Sequence, residues 1–215
     1  MLGPSLVSIR PQVAIVTPCW AARLGLSNAF PDPDSIICLQ PIFGQQVNKH
    51  QCTDITRIIV FPTNSPEFFL SSLDCTIKII ESSDNPVDVL LFSHFSVFWI
   101  SSTLRNIIIQ KDKLRRIIVL PPDLVYENLV PSMSSFNNAE KIPASDFSLI
   151  QNSGISKLST LTRQEINILY FSLSGLSVKS IANLLGKNLK TVYLYRAKAF
   201  KKTAKYFFLS KRWGQ

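Results

Sequence analysis

Four short, largely apolar runs, separated by longer segments of helical spacing, constrain the fold of this chain more than any other feature. The runs are QVAIVT (12–17), RIIVFP (57–62), PVDVLLFS (86–93) and RRIIVLPP (115–122). A strand that is apolar along most of its length is buried on both faces, which is typical of a parallel sheet with helices on its two sides. The pattern therefore predicts an α/β domain, a parallel sheet with helices on both faces, over residues 1–130.

Helical segments occupy the intervals between these runs. Pro66 and Glu67 suit the first turn of one such helix, because proline needs no donor there and a carboxylate meets the positive end of the helix dipole. Residues 31–54 are predicted to be an irregular insertion with a short extra strand at IICL (36–39). The predicted helices are CWAARLGLSNAF (19–30), SPEFFLSSLDCTIKIIES (65–82) and FSVFWISSTLRNIIIQ (95–110).

Charge is divided unequally along the chain. Residues 157–215 hold 12 Lys or Arg and one acid, Glu165, for a net charge of +11. Residues 1–156 hold 11 Lys or Arg and 13 acids, for a net charge of −2, so that the whole chain carries +9. A near-neutral body with a strongly basic end indicates a polyanionic partner. A solvated charged face and a membrane surface are alternatives that charge alone leaves open.

A linker is predicted between the two parts. Pro131, Pro143 and many Ser and Asn residues lie in residues 131–157, a composition that favours an extended connection over a packed element. The chain is therefore predicted to consist of the α/β domain, this linker, and a small all-α domain over residues 158–215.

Several kinds of chemistry are disfavoured. The four cysteines have no metal-ligand spacing and do not cluster with His50 or His94, so neither a metal nor another cofactor is expected. Their thiols are expected to be reduced and mostly buried, with a redox switch as the alternative. Nothing places His94 near an activated serine, so the chain is not expected to be an enzyme. No apolar run could span a bilayer and the N-terminus lacks a signal-peptide pattern, so a cytoplasmic location is expected.

The segment 161–203 carries the signals of three short helices. Thr162 and Glu165 form a capping box, in which the side chain of each satisfies a backbone donor of the other. The other predicted caps are Ser177 and Asn188, and the glycines predicted to end helices are Gly175 and Gly186. The inward apolar positions of the first two helices are predicted to be Ile166, Leu169, Tyr170, Leu173, Ile181, Ala182 and Leu185.

The third helix is predicted to have two unlike faces. On a wheel of about 100° per residue, Val192, Ala199 and Thr203 coincide, with Tyr195 and Tyr206 beside them, and form the buried side. The cations of the opposite side can meet phosphates of double-stranded DNA, and its apolar tips can touch base edges or a thymine methyl. Lysines kept only for solubility are the alternative, although such a face normally includes glutamate. The predicted DNA-binding residues are Lys190, Thr191, Tyr193, Leu194, Ala197, Lys198 and Lys201, with Lys179 of the second helix.

The stretch LTRQEINILYFSLSGLSVKSIANLLGKNLKTV (161–192) resembles the helix-turn-helix of LuxR/FixJ-type transcription regulators. It matches that family's pattern of LT, then E..IL, then G.S...IA..L, then KTV. The resemblance implies that Lys190 and Thr191 hold backbone phosphates, and that the base-facing positions are Tyr193, Leu194 and Ala197. Sigma-factor region 4 has a similar pattern, but a sigma factor would also need a promoter-melting helical domain upstream.

Two features depart from that family's pattern. Lys202 and Thr203 stand where the family usually has KL. The fourth helix, which often pairs two copies of the domain, would have to come from AKYFFLSKRWGQ (204–215). Pairing through that helix is therefore an open question.

The stretch VAIVTPCWAARLGLSNAF (13–30) resembles the first strand and helix of the receiver domain in Rcs-type capsule regulators. A working receiver has two acids after its first strand, an aspartate ending its third, a hydroxyl residue after its fourth, and a lysine ending its fifth. No convincing fifth strand ending in a lysine is found. Without carboxylates Mg²⁺ has no ligands and no acyl phosphate can form, so a pseudo-receiver is predicted. The residues at the first three of these places are predicted to be Thr17 with Pro18, Ser93 and Pro121.

These patterns predict a bacterial DNA-binding transcription regulator that acts without phosphorylation. Its receiver-like domain is expected to form a homodimer, or a heterodimer with a receiver-bearing Rcs-type regulator. RNA polymerase is a further candidate partner, no membrane partner is expected, and DNA binding would associate the protein with the nucleoid. The alternative is a protein-interaction module that sequesters or retargets another regulator, with DNA contact secondary.

Overall fold

The computed structural model describes residues 12–30, 32–63, 65–93, 95, 97–120 and 160–207. The predicted linker, together with Pro121 and His94, lies outside the described residues. Contacts divide the chain into two compact units, one running to Leu91 and resuming over Ile108–Ile118, the other comprising Phe92–Ile107 and the residues from Val119 onward.

The first unit is built on a five-stranded sheet. Its strands are β1 (Gln12–Val16), β2 (Ile36–Leu39), β3 (Ile55–Val60), β4 (Val87–Phe92) and β5 (Leu114–Leu120), in the order β2-β1-β3-β4-β5. The pairings of β1 with β2, β1 with β3, and β3 with β4 are parallel. The parallel sheet predicted from the apolar runs is confirmed.

Burial explains why the strands are so apolar. Every residue of β4 is buried, and so are four of the five residues of β1. The first unit also contains three helices: α1 (Trp20–Asn28), α2 (Lys49–Cys52) and α3 (Pro66–Ser82). Pro66 begins α3 and Glu67 lies in its first turn, as predicted. The buried face of α3 includes Phe69, Leu70, Leu73, Ile77 and Ile80.

The described part of the insertion predicted over residues 31–54 contains a short 3-10 helix (Pro33–Ser35), β2 and α2. Because β2 pairs with β1, it is the second strand in chain order, and the run RRIIVLPP forms the fifth, β5, which ends at Leu120 rather than at a lysine. The strands that precede Ser93 and Pro121 are therefore each one later in the chain order than predicted. Ser93 follows the fourth strand, Phe61 follows the third, and Pro121 comes directly after the fifth.

All four cysteines are free thiols in the first unit. Cys52 and Cys75 are buried, whereas Cys19 and Cys38 are half-buried. Burial raises the pKa of the Cys75 thiol to about 12, and it also raises the pKa of Cys52. The two buried thiols are therefore un-ionised and unreactive at neutral pH.

The second unit contains helices α4 (Val97–Ile107), α5 (Arg163–Leu173), α6 (Val178–Leu185) and α7 (Leu189–Phe207). The Asn106 side chain of α4 donates a hydrogen bond to the Leu161 carbonyl, 3.2 Å away, just before α5. The last three helices enclose a small apolar core. Its buried members are Ile168, Val178, Ile181, Ala182 and Val192, with Phe171, Leu176, Leu185 and Tyr195 packed against them.

Candidate nucleic-acid interface

Side-chain caps set where α5, α6 and α7 begin. The hydroxyl of Thr162 and the carboxylate of Glu165 form the predicted capping box at α5. The Ser177 hydroxyl accepts from the backbone N–H of Ser180 at α6. At α7 the Asn188 side chain accepts from the backbone N–H of Thr191 at 2.7 Å. Each cap satisfies a donor that the first helical turn leaves free.

Two glycines end the first two of these helices, as predicted, and both have a left-handed backbone. Gly175 has a φ of 83° and Gly186 a φ of 61°, values that residues other than glycine rarely adopt. After each glycine the chain folds back, with the Leu176 N–H on the Phe171 carbonyl and the Lys187 N–H on the Ala182 carbonyl. These two sharp ends turn the chain tightly, so that short connections lead from α5 to α6 and on to α7.

The inner face of α7 is the one predicted from the helical wheel. Val192, Ala199 and Thr203 are fully buried, and Tyr195 packs against the core. The Thr203 hydroxyl donates to the Ala199 carbonyl at 2.8 Å, so this polar group is satisfied within the helix. The side chain of Tyr206 lies outside the described residues.

The outer face of α7 combines exposed cations with exposed apolar groups. Tyr193 is 60% exposed, Leu194 53% and Leu189 48%. Thr191 is only half-buried, with its backbone N–H held by the cap. Leu189 is not among the residues predicted for this face. Its place four residues before Tyr193 is the signal that could have found it. The other predicted residues are also exposed: Lys179 on α6, and Lys190, Ala197, Lys198 and Lys201 on α7.

An ion pair that the sequence did not reveal holds α7 on α5. Lys202 Nζ lies 2.7 Å from Glu165 Oε2 and also donates to the Thr160 carbonyl at 2.8 Å. The Glu165 side chain is almost fully buried. Lys202 is thus taken out of the outer face by a partner 37 residues away, a separation that leaves no local signal.

Arg196 is directed along the helix rather than outward. It is half-buried, and its guanidinium carbon lies 5.7 Å from the centre of the Phe200 ring. This distance is within the range of a cation–π contact. Since Arg196 is the one arginine in the sequence of α7, the exposed cations of that helix are lysines.

The hydroxyl groups that follow the first and fourth strands are already engaged in hydrogen bonds. Thr17 is buried, and its hydroxyl accepts from the Cys19 N–H at 3.2 Å. The Ser93 hydroxyl accepts from the Phe95 N–H at 3.0 Å. Pro18 is half-buried. Within the ranges that the structure describes, no group of three His, Cys, Asp or Glu residues is placed to hold a metal ion.

A charge cluster at the other end of the sheet was also missed. Asp88 is fully buried in β4 and accepts from Arg115 at 2.7 and 2.6 Å and from Arg116 at 2.8 Å. Burial acts to raise the pKa of Asp88, but the hydrogen bonds and charges of the two arginines outweigh burial and hold the pKa below its ordinary value. Arg57 stands opposite Asp88 on β3, where burial lowers the arginine's pKa. The sequence does carry a signal for this cluster, because an aspartate lies inside one apolar strand and two arginines begin the next strand.

Comparison with known proteins gives structural likenesses only. No protein-family model matches the chain, and no curated protein matches it. Among solved structures, the chain is similar to the response regulator RcsB in complex with DNA, with 13% identity, a TM-score of 0.48, and coverage of 91% of this chain and 93% of that one. Salmonella typhimurium RcsB shows 14% identity, a TM-score of 0.35, and the same coverage of 91% and 93%. Full-length FixJ from B. japonicum shows 15% identity, a TM-score of 0.31, and coverage of 90% and 89%.

Likenesses at these TM-scores do not establish a shared function. Among the helices that the structure describes, none combines the length and the apolar character needed to cross a membrane.

Proposed function

We propose that this protein is a DNA-binding transcription regulator whose helices α5–α7 form a LuxR-type helix-turn-helix. The observation that carries the proposal is the outer face of α7, where exposed lysines stand beside exposed apolar tips. The cations would bind phosphates, and α7 would enter the major groove of double-stranded DNA.

The sign of the charge supports this role. After Glu165 the sequence holds no acid, and the carboxylate of Glu165 itself is committed to Thr162 and Lys202. The outer face of α7 therefore presents positive charge that no neighbouring carboxylate on its own helix offsets. Such a face attracts a polyanion and is drawn to DNA by the release of condensed counterions.

The spacing of the lysines also fits the groove. Lys190 and Lys201 lie eleven residues apart on the same side of α7, which corresponds to about 16 Å along the helix axis. The major groove of DNA is about 12 Å wide. One lysine can therefore approach the phosphates on each side of the groove while the middle of the helix lies over the bases.

The first unit would serve as a pseudo-receiver that acts without phosphorylation. Phe61 follows the third strand, where a receiver has its phosphorylated aspartate, and Thr17 and Pro18 occupy the places of the metal-binding acids. Its role would be to pair two copies of this chain, or to pair the chain with a receiver-bearing Rcs-type regulator. RNA polymerase is a further proposed partner, and the proposed location is cytoplasmic, on the nucleoid.

A second candidate function has its own supporting observation. Helix α7 continues unbroken through Phe207, so residues 204–207 belong to it rather than to a separate pairing helix. Trp20 and Leu24 lie four residues apart on α1 and are 70% and 47% exposed. These features favour a module that contacts another regulator through its first unit, with DNA contact secondary.

The test is DNA binding by the purified full-length protein, measured by fluorescence anisotropy across a salt series. Lys190→Ala and Lys201→Ala should each weaken binding on all sequences and reduce the salt slope by about 0.9. Lys111→Ala is the matched control, since Lys111 is an exposed lysine of the first unit. Unchanged binding in both α7 variants would refute the role assigned to this helix.

The same titration separates the two candidate functions when a receiver-bearing Rcs-type regulator is added. Binding by this protein alone supports a self-sufficient regulator, and binding only in the mixture supports an auxiliary subunit. A stable protein complex with no DNA binding in either arm supports the sequestering module.

A further inference from the structure

The centre of the DNA-facing side of α7 is apolar. Leu194 and Ala197 lie three residues apart on the outer face, and both are exposed. Along the axis of α7 they stand about 6 and 10 Å beyond Lys190, with Lys201 about 6 Å further on. If the two lysines meet phosphates, the pair Leu194 and Ala197 is the part of the helix that lies over the base edges.

A second apolar pair lies beside the first. Leu189 and Tyr193 are four residues apart, hence on neighbouring turns of one side, and about half of each side chain is exposed. These four residues, Leu189, Tyr193, Leu194 and Ala197, are named the apolar strip below. An exposed leucine on an otherwise cationic face gains free energy only if something apolar covers it.

Apart from its lysines, which the proposed function assigns to phosphates, and the hydroxyls of Thr191 and Tyr193, the outer face lacks side chains that distinguish bases by hydrogen bonds. Adenine is read by Asn or Gln, cytosine by Asp or Glu, and guanine by Arg or Lys. The sequence of α7 contains no Asn, Gln, Asp or Glu, and its one arginine is placed over Phe200. The amide of Asn188, just before the helix, is used as the cap. What remains at the centre is the apolar strip, and the apolar group in the major groove is the C5-methyl of thymine.

We propose that α7 recognises its DNA sites through methyl groups of thymine, which the apolar strip covers. The inference rests on the proposed function, because it assumes that α7 lies in the major groove. It narrows the ligand to duplexes that carry C5-methyl pyrimidines at the positions facing Leu194 and Ala197. Ala197 contributes by being small, since a longer side chain there would hold the helix away from the bases.

The experiment replaces thymine by uracil, which removes only the methyl group and leaves the hydrogen-bonding groups of the base unchanged. Duplexes are first selected from a random library with the full-length protein, and one selected duplex is then resynthesised with uracil at single thymine positions. Covering a group of this size changes the free energy of binding by about 0.8 kcal/mol, which is about fourfold in Kd. At least one position within the site should therefore show a loss of about fourfold, and positions outside the site should show none.

A protein variant assigns the effect to the strip. Leu194→Ala should bind the thymine and uracil duplexes within about twofold of each other, because the side chain that covers the methyl is gone. Ile109→Ala is the control, since Ile109 is an exposed aliphatic residue of the first unit, and it should keep the full thymine preference. Because Leu194 is exposed, its truncation should leave the fold intact, and circular dichroism of the variant checks this.

The outcomes separate this inference from the proposed function. If the duplex with uracil at every thymine binds as tightly as its parent while Lys190→Ala still weakens binding, α7 binds DNA but methyl recognition is refuted. If Leu194→Ala retains the thymine preference, the methyl is covered by another residue and the inference is equally refuted. If the selection yields no duplex and no DNA binding is measured, the proposed function fails and this inference fails with it.

Discussion

The ion pair between Glu165 and Lys202 is expected to determine how firmly α7 is held on α5. Glu165 Oε2 accepts from the Thr162 N–H at 2.8 Å and from Lys202 Nζ at 2.7 Å. The Glu165 side chain is 3% exposed and that of Lys202 is 23% exposed. Truncating Glu165 to alanine removes both interactions at once.

The size of the effect follows from this partial burial. Loss of a helix N-cap interaction costs about 1 kcal/mol. Exposed ion pairs are worth about 0.2–1 kcal/mol, whereas breaking a buried pair costs about 3–5 kcal/mol. Lys202 can turn toward water once its partner is gone, so the pair should contribute about 1–2 kcal/mol. Glu165→Ala should therefore destabilise the α5–α7 region by about 2–3 kcal/mol.

The assay is amide hydrogen exchange of the α5–α7 peptides in the intact chain. A loss of about 2 kcal/mol corresponds to exchange about thirtyfold faster through local unfolding. A double-mutant cycle of Glu165→Gln and Lys202→Met isolates the pair, since glutamine can still accept from the Thr162 N–H. Lys201→Met, which removes an exposed neighbouring lysine, is the control and should change exchange little. A coupling free energy below about 1 kcal/mol would refute the reasoning, because the pair would then behave like an exposed one.

Three further changes have defined outcomes. Val192→Asp should unfold α5–α7, because it places an unpaired charge in a fully buried site, and helical circular dichroism and hydrogen exchange would show the loss. Asp88→Asn should destabilise the first unit most above pH 5, because the pKa of Asp88 is lowered in the folded state. The stability that the carboxylate contributes is present above its unfolded pKa of about 4. It is lost as the pH falls through the folded pKa. Urea unfolding at several pH values checks this. Gly25→Ala in α1 should stabilise by about 0.5–1 kcal/mol and Gly186→Ala should destabilise by about 1 kcal/mol, because an added Cβ meets open space at both but only Gly186 has a left-handed φ.

Each of these three predictions would be contradicted by one result. A folded Val192→Asp variant would mean that this position is not in the core. A free-energy difference between wild type and Asp88→Asn that stays constant down to pH 2 would contradict the lowered pKa. Equal effects of the two glycine substitutions in urea unfolding would show that backbone conformation does not distinguish them.

Local signals in the sequence predicted local structure well. The capping box of Thr162 and Glu165, the caps at Ser177 and Asn188, and the left-handed Gly175 and Gly186 are all present. Each depends on atoms within a few residues of one another, so their chemistry can be read from spacing alone. The faces of α7 were predictable for the same reason, because a helix converts residue spacing directly into direction.

Pairings between distant segments were not predictable in this way. The strand at 36–39 was expected only as part of an irregular insertion, yet its pairing with β1 makes it the second strand and moves Ser93 from the end of the third strand to the end of the fourth. In the sequence Lys202 is a departure from the family's pattern, whereas in the fold it is the partner of Glu165.

The sequence by itself determined where α5, α6 and α7 start, which strands are buried, and which side of α7 presents its lysines, since these depend on neighbours along the chain. Only the tertiary structure decided the order of the strands, the pairing of Asp88 with Arg115 and Arg116, and the attachment of α7 to α5. The physical reason is that each of these joins groups tens of residues apart, and the free energy that selects one partner over another comes from burial that exists only once the chain has folded.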